Sequence, residues 1–223
     1  MKVNVFYNYY TQEDEARQKE IDFCFNRLVS NPNIDKIYVQ LSGHDFDHGT
    51  EDIAENMHDP KIKYIISGER PTFKYVVYDV LGVQTEEDDI NILLNSDCFF
   101  SKNTDWDLIK SMSHMERFCL SRFDIKKDVF GEMVINKKTG FPRVDSQDCW
   151  IFKGYPNDGM DIDFCFGMPG CDNRMSYEMG INGFSVSGPV SKIHVLHYHD
   201  TNLRTYDADR DRINGQYRLI PLT

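Results

Sequence analysis

The chain has 223 residues, and 36 acidic residues against 25 basic ones give it a net charge of −11. Apolar residues make up 40% of the sequence and aromatic residues 13%, a composition that predicts one folded globular domain with a sizeable core. We expect a surface this acidic to disfavour nonspecific binding to nucleic acid or to an anionic membrane.

The cysteines and the apolar runs indicate the cellular compartment. None of the six cysteines forms a CxxC pair, and most lie in apolar runs such as 22–25 and 163–166, which predicts buried free thiols in a reducing compartment. No apolar run approaches the ~20 residues that a membrane span needs. The N-terminus has the pattern of a strand, not of a secretory signal peptide. We therefore expect a soluble, cytoplasmic protein with no membrane span.

The first 40 residues have the pattern of a βαβ unit. A strand over 3–6, an amphipathic helix over about 12–30 and a strand over 36–40 predict two parallel strands joined by a right-handed crossover. The loop after the first strand then lies at the ligand-binding edge of the sheet. Tyr9 and Tyr10 in that loop could stack on a nucleotide base or be ordinary half-buried tyrosines, and the pattern favours neither.

Residues 41–100 hold two more predicted strands and a helix. The polar segment 41–60 contains His44, His48 and His58, whose spacing fits no standard metal site, so a solvated surface loop is predicted. A strand over 62–66 is followed by a helix over 73–81 that Gly82 ends. Arg70 stands at the entrance of that helix, where it could bind an anion or pair with a nearby acid.

The most informative stretch is 89–100, which predicts a strand buried on both faces within a mostly parallel sheet. Its polar triplet Asn95, Ser96 and Asp97 falls where such a strand ends. A carboxylate at that position can hold a divalent cation against a phosphate. A simple polar turn is the alternative.

The second half has a less regular pattern. It predicts a short helix capped by Thr104, a strand over 115–124, a hairpin-type turn over 136–140 and a short buried strand over 149–152. A glycine-rich turn over 167–170 precedes a helix for which Asp172 is the natural N-cap. A carboxylate at such a turn could also serve as a general base.

The last predicted strand covers 192–200 and carries His197 and His199, which lie two apart and therefore share a face. They could be a metal-ligand pair or two hydrogen-bonded structural histidines. Arg204 follows and brings a cation close to them.

Together these motifs resemble a small family of GT-A-fold nucleotide-sugar glycosyltransferases. The chain is most similar to the N-terminal glycosyltransferase domain of the capsid-glycosylating proteins of large chlorella viruses, from Val5 to about Tyr206. Each motif is short, and their number and order carry the resemblance. In chain order they are 5–10, 70–73, 95–97, 120–124, 146–150, 169–173 and 197–199.

The resemblance implies a fold and a domain organisation. It implies an α/β, GT-A-like single domain over 1–223, with a mostly parallel central sheet flanked by helices. Residues 1–100 would form the nucleotide-binding half, and 101–223 the less regular, acceptor-side half.

The resemblance also implies a nucleotide-sugar donor, with UDP the first choice, and Mn²⁺ or Mg²⁺. Asp97 matches the metal-binding acid of the family's DxD motif, whereas Asn95 replaces its first acid and brings no charge. His199 or His197 would complete the metal site. Tyr9, Tyr10, Arg70, Asn95, Ser96, Asp97 and Arg204 would bind the nucleotide-sugar.

The expected reaction is transfer of the sugar to a glycan or glycoprotein acceptor, in the host cytoplasm if the protein is viral. Asp172 is the predicted general base and Asp148 the reserve, and a single base predicts inversion at the sugar. Two other classes stay open: a noncatalytic sugar- or nucleotide-binding module, suggested by Asn95, and a metal-dependent phosphoesterase or nucleotidyl transferase. The last is less favoured because Asp97 has no acidic neighbour with which to hold two metals.

Overall fold

The fold is a mixed α/β structure built on two sheets. The computed structural model describes residues 1–41, 58–155, 159–201, 203, 207 and 209–223. His44, His48 and Arg204 lie outside these ranges, so the predictions that concern them have no structural outcome. His58 is described and is exposed.

Seven strands form the central sheet, in the order β10-β6-β9-β4-β1-β2-β3. Neighbouring strands are parallel except at β9, which is antiparallel to both β4 and β6. The strands are β1 (Val3–Asn8), β2 (Lys36–Leu41), β3 (Ile62–Ile66), β4 (Ile90–Leu94), β6 (Glu116–Leu120), β9 (Cys149–Lys153) and β10 (Ser185–Ser187). The predicted mostly parallel sheet is therefore confirmed, and it draws strands from both halves of the chain.

A smaller sheet of four strands lies beside the carboxyl end of β4, in the order β5-β11-β7-β8. Its strands are β5 (Cys98–Phe100), β7 (Arg122–Lys127), β8 (Met133–Ile135) and β11 (Val195–Tyr198). The stretch predicted as one strand over 115–124 is in fact two, because Ser121 separates β6 in the large sheet from β7 in the small one. This change of sheet gives the second half its irregular pattern.

Helices cover both faces of the central sheet. Helix α1 (Glu15–Val29) packs on one face through Ile21 and Phe25. The other face is covered by a π-helix, α2 (Tyr75–Leu81), with its short continuation α3 (Gly82–Gln84), and by α5 (Cys171–Ile181). A short helix, α4 (Trp106–Lys110), completes the set. All five residues of β4 are buried, which confirms the prediction of a central strand covered on both sides.

Several predicted boundaries are wrong, each for a local reason. The helix before β4 does not stop at Gly82, whose αR backbone continues it as α3. The N-cap of α4 is Asp105 and not Thr104, because the Asp105 carboxylate accepts the Leu108 amide at 3.0 Å. The turn predicted over 136–140 is present, closed by the Gly140 amide on the Asn136 carbonyl at 2.7 Å, but the turn that joins β7 to β8 is an earlier one at 128–132.

Helix α5 also begins differently from the prediction. Its N-cap is Gly170, with a left-handed φ of 79°, and Asp172 sits in the first turn. The six cysteines are all free thiols, as predicted. None of the helices in the described parts of the chain is long and apolar enough to cross a membrane.

Candidate active site

A cleft of about 880 Å³ opens where β1 and β4 of the central sheet end beside the small sheet. The loop after β1 and the triplet after β4 both line it, as expected for the carboxyl edge of parallel strands. The small sheet supplies the opposite wall through β7 and the residues after β11. The cleft therefore lies at the junction of the two sheets.

Three candidate metal ligands meet on the floor of this cleft. Oδ2 of Asp97 lies 3.2 Å from Nε2 of His197 and 3.4 Å from Nδ1 of His199. One ligand atom from each of these residues lies within 4.8 Å of the others. His197 is the last residue but one of β11 and His199 follows the strand, so the predicted shared face of the two histidines is what the structure shows. Three donors this close together are able to hold one cation.

A third basic group, Arg17 of α1, contacts the same carboxylate. Its Nη2 lies 2.8 Å from Asp97 Oδ2, and its Nη1 lies 2.8 Å from Oε2 of Glu20. Arg17 was not predicted as a site residue. In sequence, an arginine in the first turn of an amphipathic helix looks the same whether it is exposed to solvent or buried in a site. Only the packing of α1 against β5 and the strand ends brings it to the cleft.

These neighbours determine the charge of the cluster. Burial opposes ionisation of Asp97, whose side chain is 14% exposed, but His197, His199 and Arg17 outweigh burial and hold the pKa of Asp97 well below its usual range. Burial would lower the pKa of His197, but the carboxylates of Asp97 and Asp124 together outweigh that effect and raise this pKa to about 9. The Asp97 carboxylate is therefore ionised, and a cation bound by the three residues would displace the proton that His197 holds near neutral pH.

Asp124 on β7 orients His197. Its Oδ1 lies 2.9 Å from Nδ1 of His197, which directs Nε2 towards Asp97. A carboxylate behind a ligating histidine fixes the tautomer and the orientation of the ring. Asp124 also pairs with Nε of Arg122 at 2.9 Å. Arg122 and Asp124 lie two apart on β7, within the motif 120–124, and therefore share a face of the strand.

The network continues to the other side of the cleft. Arg122 Nη1 lies 2.7 and 2.6 Å from the two oxygens of Asp148. Asn95 donates from Nδ2 to Asp148 Oδ1 at 2.7 Å. Ser96 is buried and donates its hydroxyl to the Asn8 carbonyl, so its side chain fixes the loop after β1. The triplet after β4 is thus a built part of the cleft and more than a polar turn.

Glu20 holds the segment that carries His199. Its Oε1 accepts the backbone amides of Asp200 at 2.8 Å and Thr201 at 3.0 Å, and its Oε2 accepts the Thr201 hydroxyl at 3.1 Å. The same carboxylate pairs with Arg17. Helix α1 therefore positions two walls of the site through one buried acid.

The structure separates the predicted nucleotide-binding residues. Tyr10 lines the cleft, and its hydroxyl accepts from Arg17 Nη2 at 3.4 Å. Arg70 also lines the cleft, with its Nη1 3.3 Å from the Gly167 carbonyl. Tyr9 instead lies in the core against Phe25, and its hydroxyl donates to Asp22 Oδ1 at 2.5 Å. Tyr9 therefore presents no ring face to a ligand in the cleft. Of the two tyrosines, Tyr10 is the one that lines the cleft.

The two candidate bases occupy different positions. Asp148 is buried and lines the cleft, where Arg122 and Asn95 engage its carboxylate. Asp172 is not among the described residues that line the cleft, and its Oδ2 accepts the Gln147 amide at 3.2 Å. Burial is the main reason that the pKa of Asp172 rises to about 6.

Comparisons with known proteins bear on the fold. No protein-family model matches the sequence, and no curated protein sequence matches it. The mannosyltransferase PcManGT from Pyrobaculum calidifontis, in complex with GDP-Man and Mn²⁺, is similar in structure with a TM-score of 0.55 and 13% identity over 92% of this chain and 58% of that one. TarS 1–349 from S. aureus, in complex with UDP-GlcNAc, is similar with a TM-score of 0.56 and 12% identity over 91% of this chain and 60% of that one.

These likenesses show that the chain has the GT-A-like α/β fold of these two neighbours. The chain spans about three fifths of the length of each of the two. At this identity the likeness concerns the fold alone.

The raised pKa of Asp172 predicts a pH-dependent stability. The folded pKa of about 6 lies above the ordinary value of ~3.9, so the native state holds this proton more tightly than the unfolded state. The contribution of Asp172 to stability is therefore greatest below pH ~4 and falls as the pH rises to ~6. In Asp172→Asn this loss is absent, so the variant gains about 1–3 kcal/mol relative to wild type between those limits.

Urea unfolding at several pH values measures that difference. Asp107→Asn, an exposed position on α4, is the control and should keep a constant offset from wild type. A constant offset for Asp172→Asn as well would contradict the burial of an ionisable carboxylate at this position.

The contact between Asp124 and His197 predicts that Asp124 strengthens metal binding through the histidine ring. Asp124→Asn removes the charge behind His197, and we expect the affinity for Mn²⁺ to fall by about 10- to 100-fold. Isothermal titration calorimetry with Mn²⁺ measures this, with Asp107→Asn as the matched control. Unchanged Mn²⁺ affinity in a folded Asp124→Asn protein would show that Asp124 does not support a metal ligand.

Proposed function

We propose that the chain is a metal-dependent glycosyltransferase that moves a sugar from a nucleotide-sugar, UDP-linked in the first instance, to a glycan or glycoprotein acceptor. The convergence of Asp97, His197 and His199 on the cleft floor at the carboxyl end of β4 carries this proposal. The GT-A-like fold supports it, because both neighbours described above are complexes with nucleotide-sugars.

The three residues fit a divalent cation by two observations. Nε2 of His199 is buried and has no hydrogen-bond partner among the described residues, which leaves a donor atom for a ligand. Nε2 of His197 points to the Asp97 carboxylate because Asp124 holds the other ring nitrogen, Nδ1. Two imidazoles with one carboxylate favour Mn²⁺ over Mg²⁺, since Mg²⁺ prefers oxygen ligands. When bound, the cation would offset the negative charge that develops on the leaving diphosphate.

Residues of the cleft would bind the rest of the donor. Tyr10 would stack on the base, and Arg70 would pair with a phosphate at the cleft wall. Asn95 Oδ1 is buried and has no hydrogen-bond partner within the described parts of the chain, so it is suited to accept from a ribose hydroxyl. This role makes use of an amide where the related family has an acid. We propose no contact for Tyr9, which lies in the core.

The acceptor hydroxyl needs a base as it attacks the oxocarbenium-like sugar. Asp148 is the better placed of the two candidates because it lines the cleft. The pKa of Asp172, about 6, is in the working range of a base, but Asp172 is not among the described residues that line the cleft and its carboxylate accepts the Gln147 amide. We therefore propose Asp148 as the base and a positioning role for Asp172. Single displacement with inversion remains part of the proposal.

Location and acceptor are also proposals. The free thiols of all six cysteines support a reducing compartment such as the cytoplasm. A capsid-protein acceptor is what the viral resemblance suggests, and it remains a hypothesis.

Product analysis tests the proposed reaction. The protein with Mn²⁺ is incubated with UDP-, GDP-, CDP- and dTDP-sugars, and the released nucleotide is identified by chromatography. A glycosyltransferase releases the nucleoside diphosphate, also when it slowly transfers the sugar to water in the absence of an acceptor. Release of a monophosphate would replace the proposal with a phosphoesterase or nucleotidyl transferase. Binding without turnover of any donor or supplied acceptor would favour the noncatalytic module.

Removing one ligand predicts loss of metal-dependent donor binding. In wild type, a nucleoside diphosphate at a hundredfold excess over its dissociation constant should add about 2.7 kcal/mol of stability in the presence of Mn²⁺. We expect this gain to vanish in Asp97→Asn and in His199→Gln, and in wild type with chelator. Thermal shift measures it, and a gain that persists in both folded variants would contradict the assigned site.

A further inference from the structure

The segment 122–143 has a net positive charge, opposite in sign to that of the whole chain. It comprises β7, β8, the turn between them and the loop that follows, and we refer to it as the basic hairpin. It carries six basic and three acidic residues, a net charge of +3 in a chain whose total is −11. Five of the six basic residues are exposed, namely Lys126, Lys127, Lys137, Lys138 and Arg143. Arg143 pairs with Asp145 at 2.8 Å, just beyond the segment, so the four lysines carry the exposed charge that has no ion pair among the described residues. The mean charge of the chain therefore does not describe this surface.

The turn of the basic hairpin projects two apolar side chains. Val129 is 92% exposed and Phe130 is 86% exposed. The conformation is fixed from below, because Oδ1 of Asp128 accepts the amides of Phe130 and Glu132, each at 2.9 Å. Gly131 has φ 82° and closes the turn with its amide on the Asp128 carbonyl at 3.0 Å. The turn is thus a hydrogen-bonded structure with an apolar tip.

Further exposed apolar side chains lie along the basic hairpin. Val134 and Ile135 on β8 are 37% and 43% exposed and face opposite sides of the small sheet, and Phe141 is 64% exposed. Strand β8 is at the edge of the small sheet, next to β7, with Lys126 opposite Val134. Phe141 also lines the cleft, so the basic hairpin reaches the mouth of the site.

We propose that the basic hairpin docks the protein on an anionic membrane surface. Val129 and Phe130 would enter the boundary between headgroups and acyl chains, and the surrounding lysines would lie at the level of the anionic headgroups. Apolar side chains together with a cluster of basic ones are the recognised chemistry of peripheral membrane binding. The protein would lie on the bilayer and not span it.

The observations favour this partner over two others. A soluble polyanion would be attracted by the lysines but would gain nothing from a paired apolar tip. A second copy adding to the edge strand β8 would pair along only three residues, Met133–Ile135, and would meet Lys137 and Lys138 just after them, which oppose strand addition. The proposal is independent of the sugar-transfer reaction, because none of its test residues is assigned to the metal or the donor.

Vesicle co-sedimentation of the whole chain tests the proposal. The vesicles are phosphatidylcholine alone and phosphatidylcholine with phosphatidylserine, each at low and high salt. We expect binding to the anionic vesicles at low salt and weaker binding at high salt, because the headgroup attraction is screened. No binding of wild type to anionic vesicles at low salt would overturn the proposal.

Two double variants separate the two contributions. Val129→Ser with Phe130→Ser should lower the vesicle partition coefficient by at least about tenfold, through lost apolar insertion. Lys126→Glu with Lys127→Glu should lower it by about 25-fold or more, since each basic residue contributes about fivefold. Val83→Ser and Lys102→Glu, exposed positions elsewhere, are the matched controls and should bind like wild type.

The same variants distinguish the other partners. Circular dichroism first establishes that each variant is folded. If light scattering shows a dimer that the tip variant abolishes, and vesicles do not bind, the surface is a protein interface and the proposal is wrong. If a soluble polyanion binds wild type and the tip variant equally, and vesicles do not bind, the surface recognises charge alone and the proposal is again wrong.

Discussion

The site depends on one largely buried carboxylate, Asp97, at the end of the central strand. An ionised carboxylate in such surroundings is costly unless opposite charges or donors surround it. Here Arg17, His197 and His199 all contact the same oxygen, Oδ2. They come from α1, from β11 and from the segment after β11. The need to satisfy this one charge therefore brings two distant parts of the chain, α1 and the end of β11, to the end of β4, and the cleft forms around it.

The small sheet exists, in functional terms, to deliver the second wall of the cleft. The change from β6 to β7 at Ser121 places Arg122 and Asp124 between the candidate metal ligands and Asp148. The resulting chain of ion pairs runs across the cleft. A donor or acceptor on one side is thus linked electrostatically to the other side. The basic hairpin consists of β7 and β8 of the small sheet with their turn and the following loop. One sheet therefore serves both the site and the proposed membrane surface.

The sequence was most informative where the pattern is local. The buried strand β4 with its triplet, and the pairing of His197 with His199, followed from burial periodicity and strand spacing. The N-cap of α5 could not be predicted, because the same residues, Gly170 and Asp172, fit two starts of the helix. Asp172 could cap the helix, or a left-handed Gly170 could cap it with Asp172 in the first turn, as the structure shows. Tyr9 and Tyr10 are adjacent and alike in sequence, and only the direction of the chain after β1 separates core from cleft. Arg17 became visible only through helix packing.

The most direct test of the account is the ligand environment of bound Mn²⁺. Pulsed electron paramagnetic resonance on the protein with Mn²⁺, with and without UDP, detects nitrogen and phosphorus nuclei close to the ion. The account predicts nitrogen couplings from imidazole ligands that disappear when His197 and His199 are replaced by glutamine, and a phosphorus coupling that appears with the nucleotide. A Mn²⁺ signal with phosphorus coupling but no imidazole nitrogen, or with neither, would contradict the assignment of the site.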